Sequence, residues 1–137
     1  MEKFTTNIEQ AERLMAAGID PEATARLFWH RVRKESEYVL DVLHAPYHKE
    51  LFSHRYKYTC PAWDLSALIK MLPEHILALH PFIDGLERHY LEIDNDGICY
   101  ICDNAPYGCI AIAKSCEGNL IDAAVDMIEW LKKEKYI

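Results

Sequence analysis

The sequence predicts an α+β fold in which an antiparallel sheet packs against amphipathic helices. Three observations predict it. The residues after 118 have the apolar periodicity of a helix, and residues 90–113 contain three short β-type segments in succession. Residues 27–43 add two aromatic and β-branched stretches joined by polar residues, which is typical of a hairpin. We therefore expect a C-terminal three-stranded meander, an N-terminal hairpin and several covering helices.

The N-terminal segment predicts a helix. Thr6-Asn7-Ile8-Glu9 has the form of a capping box. Ile8, Ala11 and Met15 then share one helical face, and Gly18 is a typical stop.

A second, short helix is predicted directly after this stop. Asp20 can cap it, Pro21 suits the first helical position, and Glu22 favours the positive end of the helix dipole.

Residues 27–43 allow two interpretations. Leu27–Arg33 and Tyr38–Leu43 alternate loosely, with a polar turn at Lys34–Glu37, so a hairpin is favoured. A helix is the alternative, because Phe28, Val32, Val39 and Leu43 also approximate a helical stripe.

The middle of the chain is less regular. His44–Tyr58 predicts a loop with at most one edge strand, and His80–Arg88 predicts irregular structure with a turn at Asp84-Gly85. Between them, Asp64 is a good N-cap for a helix over Leu65–Leu72, which Pro73 would end.

The clearest β signal lies at residues 90–103. Tyr90–Asp94 and Ile98–Asp103 flank Asn95-Asp96-Gly97, a typical hairpin turn. A two-residue turn at Asp96-Gly97 would place Leu91 and Ile93 opposite Cys102 and Tyr100, whereas a three-residue loop would place them opposite Ile101 and Cys99. A third strand is predicted at Tyr107–Ala113.

The C-terminal helix has a wide apolar stripe that needs a sheet or several helices to cover it. The stripe contains Leu120, Ile121, Ala124, Val125, Met127, Ile128 and Leu131, and the opposite side contains Asp122, Asp126, Glu129 and Lys133. Asn119 can cap the helix. Trp130 lies at the margin of the stripe.

Size and charge limit the possible functions. The chain has 137 residues, half of them hydrophobic, which predicts a single globular domain over residues 1–137. Its net charge is −7, from 22 acidic and 15 basic residues. The one basic cluster, at residues 31–34, is offset by Glu35 and Glu37. We therefore expect no nucleic-acid partner. A charge-mimicking inhibitor of a basic protein is a minor alternative.

The sequence favours a cytoplasmic location. Its first residues lack the apolar region of a secretory signal, and no stretch has the length and hydropathy of a membrane span, so no membrane partner is expected. The five cysteines are an odd number for a closed disulfide framework and are expected to be reduced thiols.

Cysteines and histidines raise the possibility of a zinc site. Cys99-x-x-Cys102 is followed by Cys109 and Cys116, but residues three apart on a strand project to opposite faces, so buried core thiols are favoured. His44, His48 and His54 lie in a predicted loop interrupted by Pro46, and His75 and His80 lack the pattern of zinc hydrolases. A Cys/His zinc module is kept as the alternative function.

Two other chemistries are weaker. Glu92, Asp94, Asp96, Gly97 and Asp103 fall at EF-hand-like positions, but their flanks alternate like strands, so a hairpin with solvated acids is favoured over a calcium site.

A small enzyme with a thiol or carboxylate site is the third possibility. Cys60 is the candidate nucleophile, with His54 or His89 as its base. The sequence has no nucleophile elbow, glycine-rich phosphate loop or dinucleotide fingerprint.

Three blocks carry a resemblance to known proteins. They are Ala17–Glu22, Pro61–Leu68 with Leu72-Pro73, and Asn119–Leu131 with the end Tyr136-Ile137. Together they resemble short proteins encoded in gut Bacteroidales genomes, often in phage-like or other mobile regions. That family has no assigned activity and no established functional residues. The resemblance therefore implies a bacterial, cytosolic, accessory role, and no site residue is carried over.

The favoured hypothesis is a small non-enzymatic accessory or protein-interaction domain whose partner is another protein. We expect no catalytic residue, no metal ligand and no cofactor. Trp29, Trp63 and Trp130 are candidate contact aromatics, although core packing is favoured for each. The sequence leaves the oligomeric state open.

Overall fold

The structure is a computed structural model, and it describes residues 4–42, 58–103, 109–115 and 119–137. Helices and two antiparallel sheets confirm the α+β prediction. The chain forms two compact units, Met1–Ile69 and Lys70–Ile137. A single domain over residues 1–137 stays a prediction.

The described elements of the first unit are α1 (Ile8–Ala16), α2 (Pro21–Thr24), β1 (Leu27–Arg31), β2 (Val39–Val42), β3 (Tyr58–Ala62) and α3 (Leu65–Lys70), which ends at the boundary. Those of the second unit are β4 (His75–Leu79), β5 (Leu86–Asp94), β6 (Gly97–Asp103), β7 (Cys109–Ser115) and α4 (Leu120–Lys133).

The first helix begins one residue later than predicted. Its capping box is formed by Asn7 and Gln10: Asn7 Oδ1 accepts from Gln10 N at 2.8 Å, and Gln10 Oε1 accepts from Asn7 N at 3.1 Å. The predicted capping box of Thr6 and Glu9 was wrong because the Thr6 side chain is buried in the core. Its hydroxyl accepts a hydrogen bond from the backbone N–H of Trp63 at 3.1 Å.

The buried residues of α1 are Gln10, Ala11 and Leu14, whereas Ile8 and Met15, which were predicted to share one helical face with Ala11, are half-buried. Its end was predicted correctly: Gly18 has a φ of +95°, which a side chain would strain, and Ile19 N donates to Leu14 O at 3.0 Å.

The predicted start of α2 is confirmed. Asp20 Oδ1 accepts from Glu22 N at 2.9 Å, and Pro21 occupies the first helical position.

The sheet of the first unit has the strand order β2-β1-β3, with both pairs antiparallel. It confirms the hairpin interpretation of residues 27–42 and excludes the helical one there. The third strand, β3, includes Pro61, which an edge strand tolerates. Helix α1 packs against β3, and Phe28, Trp63 and Leu68 are buried in this unit.

Helix α3 confirms the predicted cap, since Asp64 Oδ1 accepts from Ala67 N at 2.8 Å. The helix ends at Lys70, two residues before the predicted end.

The sheet of the second unit has the order β4-β5-β6-β7, so the predicted three-stranded meander is four-stranded. Strand β4 was not predicted. Strand β5 begins at Leu86, so the prediction of irregular structure was wrong for 86–88. The last described strand, Cys109–Ser115, extends two residues beyond the predicted end at Ala113, and residues 104–108, which include the predicted start, lie outside the described residues.

The register of the β5–β6 hairpin differs from both predicted alternatives. Asp94 pairs with Gly97, so Asn95 and Asp96 form the two-residue turn. Leu91 therefore lies opposite Tyr100, and Ile93 opposite Ile98. Asp94 Oδ1 accepts from the N–H groups of Asp96 and Gly97 at 2.8 and 3.1 Å, which selects this turn from the three adjacent turn residues.

Helix α4 covers this sheet and packs against β6 and β7. The predicted cap is present, with Asn119 Oδ1 accepting from Asp122 N at 3.0 Å. The predicted stripe is buried except for Leu120, which is half-buried, and Ala123 is buried as well.

Candidate functional site

Cys60, the predicted nucleophile, is a buried thiol in β3. Burial raises the pKa of Cys60 from 9.0 to about 11, and the negative charge of Glu12 contributes to the rise. A reactive cysteine needs the opposite shift, because the thiolate is the nucleophile. The proposed bases add no support: His54 lies outside the described residues, and His89 belongs to the second unit.

Cys99 and Cys102 lie on opposite faces of β6. Both thiols are buried, but Cys99 is paired with Glu92 and Lys114, whose side chains are exposed, whereas Cys102 lies three positions further along the strand. Directly opposed residues share a sheet face. The two thiols therefore cannot bind one ion from this strand without a change in its backbone.

The remaining zinc candidates give no cluster in the described ranges. Within residues 4–42, 58–103, 109–115 and 119–137, no group of three or more His, Cys, Asp or Glu side chains is placed to hold a metal ion. His44, His48, His54 and Cys116 lie outside these residues, as does the side chain of Cys109. The zinc hypothesis stays a prediction, which the metal content of the purified protein would check.

Two buried histidines have structural positions in the second unit. His80 Nδ1 accepts from the N–H groups of Phe82 and Ile83 at 3.0 and 3.1 Å and so shapes the connection between β4 and β5. His89 is fully buried, and its Nδ1 lies 3.0 Å from the carbonyl oxygen of Glu87. A carbonyl oxygen only accepts, so Nδ1 is the donor in that contact, and no described residue hydrogen-bonds to Nε2.

The acidic residues at EF-hand-like positions belong to a hairpin. Asp94 is occupied by the turn, and Glu92 and Asp96 are exposed. The flanking elements are β5 and β6, as the alternation predicted.

The most unusual surface of the described chain is an apolar strip on β4 and β5. Its members are large, exposed side chains: Leu77 (52%), Leu79 (71%), Phe82 (67%), Leu86 (61%) and Tyr90 (53%). Four of them come from the two strands, and Phe82 comes from the connection between them. We call this set the β4–β5 face. Large contiguous apolar surfaces on a protein exterior commonly mark interaction sites.

The strand register places two of these side chains directly opposite each other and spaces the others along the same two strands. Leu79 lies opposite Leu86, Leu77 opposite Arg88, and His75 opposite Tyr90. The rings of His75 and Tyr90 have their centroids 6.0 Å apart. Strand β4 is also the edge of its sheet.

Strand β4 is apolar on both sides. Ile76 and Ala78, which alternate with Leu77 and Leu79, are buried. A strand with one solvent-exposed side normally alternates apolar with polar residues. The outward leucines therefore depart from what folding alone requires, and they are the best candidate for a functional feature.

The three tryptophans are not exposed. Trp63 is fully buried, and its Nε1 donates to Thr24 Oγ1 at 2.8 Å. Trp29 is half-buried and donates from Nε1 to Thr6 O at 2.9 Å. Trp130 is half-buried beside Tyr136, with ring centroids 5.4 Å apart. The favoured core interpretation is thus confirmed for Trp63. Trp29 and Trp130 are half-buried, and each contacts a residue of its own unit.

No family model, curated protein or solved structure matches the chain. The resemblance to short Bacteroidales proteins stays a prediction. Among the described helices, none has the length and apolar character needed to cross a bilayer.

The sequence contains a signal for the β4–β5 face. Ile76–Leu79 is an uninterrupted apolar run, and Phe82 and Leu86 follow it closely. Two short strands so composed cannot bury all of these side chains on one side of a sheet.

Proposed function

We propose that this chain is a non-enzymatic accessory module that binds another protein through the β4–β5 face. The exposure of five large apolar side chains, four on two paired strands and one on their connection, carries the proposal. Covering such side chains gives roughly 25 cal/mol for each Å² of apolar surface removed from water. A partner that covers the β4–β5 face would therefore be bound favourably.

The residue types on this surface also support a protein partner. Phe82 and Tyr90 are aromatic, and Arg88 lies between Leu86 and Tyr90 on the same side of β5. Aromatic residues and arginine are enriched in protein interfaces. The net charge of −7 argues against a nucleic acid as the partner.

The thiols support the rest of the proposal. A neutral, buried Cys60 is suited to packing and not to covalent catalysis. Cys60, Cys99 and Cys102 are all buried thiols, which fits a protein of the reducing cytoplasm.

The proposal is tested by comparing surface variants in a quantitative pull-down from a lysate of the cells that encode the protein. Phe82→Asp and Leu86→Asp place a charge on the β4–β5 face without altering the β4 edge. Val32→Asp is the matched control, because Val32 is an equally exposed apolar residue in the first unit. Circular dichroism spectra must show that all three variants are folded.

The expected result is a protein that is retained by the wild type and by Val32→Asp, and is lost from both Phe82→Asp and Leu86→Asp. Identical retention by all four proteins would contradict the proposed surface. Retention of no protein by the wild type would contradict the proposed function.

A further inference from the structure

We infer that strand β4 pairs antiparallel with β4 of a second copy, so that two four-stranded sheets join into one continuous sheet. The inference rests on the proposed function, because joining two sheets through β4 would place the β4–β5 faces of two copies side by side as one apolar surface for the partner. It follows from the composition of the edge strands, the direction of the β4 backbone groups and the symmetry of the β4 sequence.

Strand β4 is the unprotected edge among those described. The sheets have four edge strands, β2 and β3 in the first unit and β4 and β7 in the second. Proteins commonly prevent edge-to-edge pairing with charged residues or proline. Strand β2 carries Asp41, β3 carries Pro61 and β7 carries Lys114, whereas β4 has no Asp, Glu, Lys, Arg or Pro.

The backbone of β4 presents a regular set of groups to a new strand. Leu91 N donates to Glu74 O at 2.9 Å beside the register pair His75 and Tyr90. In an antiparallel ladder, this bond means that Glu74, Ile76 and Ala78 direct their N–H and C=O groups toward β5. Alternation then directs those of His75, Leu77 and Leu79 toward the open edge.

A two-fold arrangement centred on Leu77 uses all of these groups. Leu77 lies opposite Leu77 of the second copy, and His75 lies opposite its Leu79. Each of the three resulting pairs exchanges two backbone hydrogen bonds. On the other side of the strand, Ile76 lies opposite Ala78 of the second copy. The buried sides of the two sheets therefore lie on one side of the joined sheet, and the exposed leucines lie on the other. A C2 interface needs this self-complementarity.

The charge distribution permits the contact despite the acidity of the chain. Two copies with a net charge of −7 repel each other, but the opposed β4 residues bring no like charges together. The nearest ionised residue on this face is Arg88, opposite Leu77. The two Arg88 residues would be three strand spacings apart, about 14 Å, beyond the Debye length of about 10 Å at 0.1 M salt.

The dimer is expected to be weak, because β4 has only five residues. Small interfaces are typical of transient complexes. Sedimentation velocity from roughly 1 to 300 µM should therefore show a monomer that converts to a dimer as concentration rises, a range corresponding to Kd values near 10⁻⁵ M.

Leu77→Pro is the decisive variant. Proline removes the outward N–H of residue 77 and blocks a new strand, while the hydrogen bonds between β4 and β5 are kept. The control is Leu77→Val, which retains the N–H and most of the apolar side chain. We expect at least a tenfold weaker dimer for Leu77→Pro and less than a threefold change for Leu77→Val, since only the proline removes central hydrogen bonds. Far-ultraviolet circular dichroism checks that both variants are folded.

A covalent trap tests the register without disrupting the strand. In the proposed pair, the two Cα atoms at position 77 lie about 5.5 Å apart, within the range that a disulfide spans. Leu77→Cys should therefore form a covalent dimer on mild oxidation with diamide. Leu86→Cys, which is equally exposed but lies on β5, and the parent protein should remain monomeric on denaturing gels.

The outcomes separate this inference from the proposed function. A dimer that Leu77→Pro weakens and Leu77→Cys traps supports the inference, whereas the pull-down with Phe82→Asp and Leu86→Asp tests the proposed function. A protein that stays monomeric throughout the concentration range overturns the inference, while a foreign protein retained through Phe82 and Leu86 would leave the proposed function in place. A dimer that persists unchanged in Leu77→Pro also overturns the inference, because self-association would then use another surface.

Discussion

At the residue scale, the buried Cys60 thiol connects stability with pH. Its pKa is raised from 9.0 to about 11 by burial and by Glu12, so the folded state holds the thiol proton more tightly than the unfolded chain does. The stability that Cys60 contributes is therefore fully present below pH 9 and is lost as the pH rises through 11.

The first prediction concerns the reactivity of Cys60. We expect iodoacetamide to label it slowly at neutral pH in the native protein, with a rate that rises toward pH 11 because only the thiolate reacts. Glu12→Gln removes the repulsive charge and should move this profile to lower pH. Peptide mapping by mass spectrometry measures the labelling of Cys60 separately from that of the other cysteines. Rapid labelling at pH 7 would contradict a buried, neutral thiol.

The second prediction concerns Tyr100, whose hydroxyl donates to Pro73 O at 2.7 Å. Tyr100→Phe leaves that carbonyl without this donor and should lower the free energy of unfolding by about 1 to 2 kcal/mol, as measured by urea denaturation. Burial raises the pKa of Tyr100 from 10.0 to about 12. The wild type should therefore lose stability between pH 10 and 12, and the variant should lose less. Equal loss in both proteins would show that another group is responsible.

At the element scale, predictions succeeded where the signals were local. The caps at Asp20, Asp64 and Asn119 were predicted because a capping residue is at most three positions from the N–H group it accepts. The start of α1 was one residue wrong because Thr6 and Asn7 are both good caps. The choice depends on the contact of Thr6 with Trp63, 57 residues away, which local patterns cannot contain.

The third prediction tests the cap of α1. Asn7→Ala removes the acceptor for Gln10 N and should lower the free energy of unfolding by about 1 kcal/mol. Asn7→Ser keeps a capping oxygen and should change it by only a few tenths of that amount. Thermal and urea denaturation of the two variants measure the difference. If Asn7→Ser were as destabilising as Asn7→Ala, the side-chain oxygen would not be the stabilising group.

Strand β4 was missed for a physical reason that also makes it the candidate site. A half-buried strand is recognised in a sequence because polar residues occupy its solvent-exposed side. In β4 the exposed positions hold Leu77 and Leu79. Buried and exposed residues alternate along the strand, but because both kinds are apolar the sequence does not show this alternation. The register of the β5–β6 hairpin was missed because Asn95, Asp96 and Gly97 are all turn formers, and the Asp94 side chain selects among them.

At the scale of the whole molecule, the sequence led to the hypothesis of a protein partner but gave no indication of the surface now proposed for it. The favoured hypothesis named another protein, and the tryptophans were its candidate contacts. The β4–β5 face instead uses leucines, Phe82 and Tyr90, which become neighbours only when β4 and β5 pair. A surface assembled by strand register cannot be predicted while one of its strands is unrecognised.

The fourth prediction concerns the effect of salt on the proposed dimer. Each copy carries a net charge of −7, so association brings two like-charged bodies together, while the contact itself is apolar and hydrogen-bonded. Raising the salt concentration shortens the Debye length from about 30 Å at 0.01 M to about 8 Å at 0.15 M. The repulsion weakens accordingly, but the contact is little affected. We therefore expect the dissociation constant from sedimentation velocity to fall as NaCl is added. Leu77→Pro should dimerise at least tenfold more weakly than the wild type at every concentration of salt. A dissociation constant that rises with salt would show that ion pairs, and not the uncharged β4 edge, hold the two copies together.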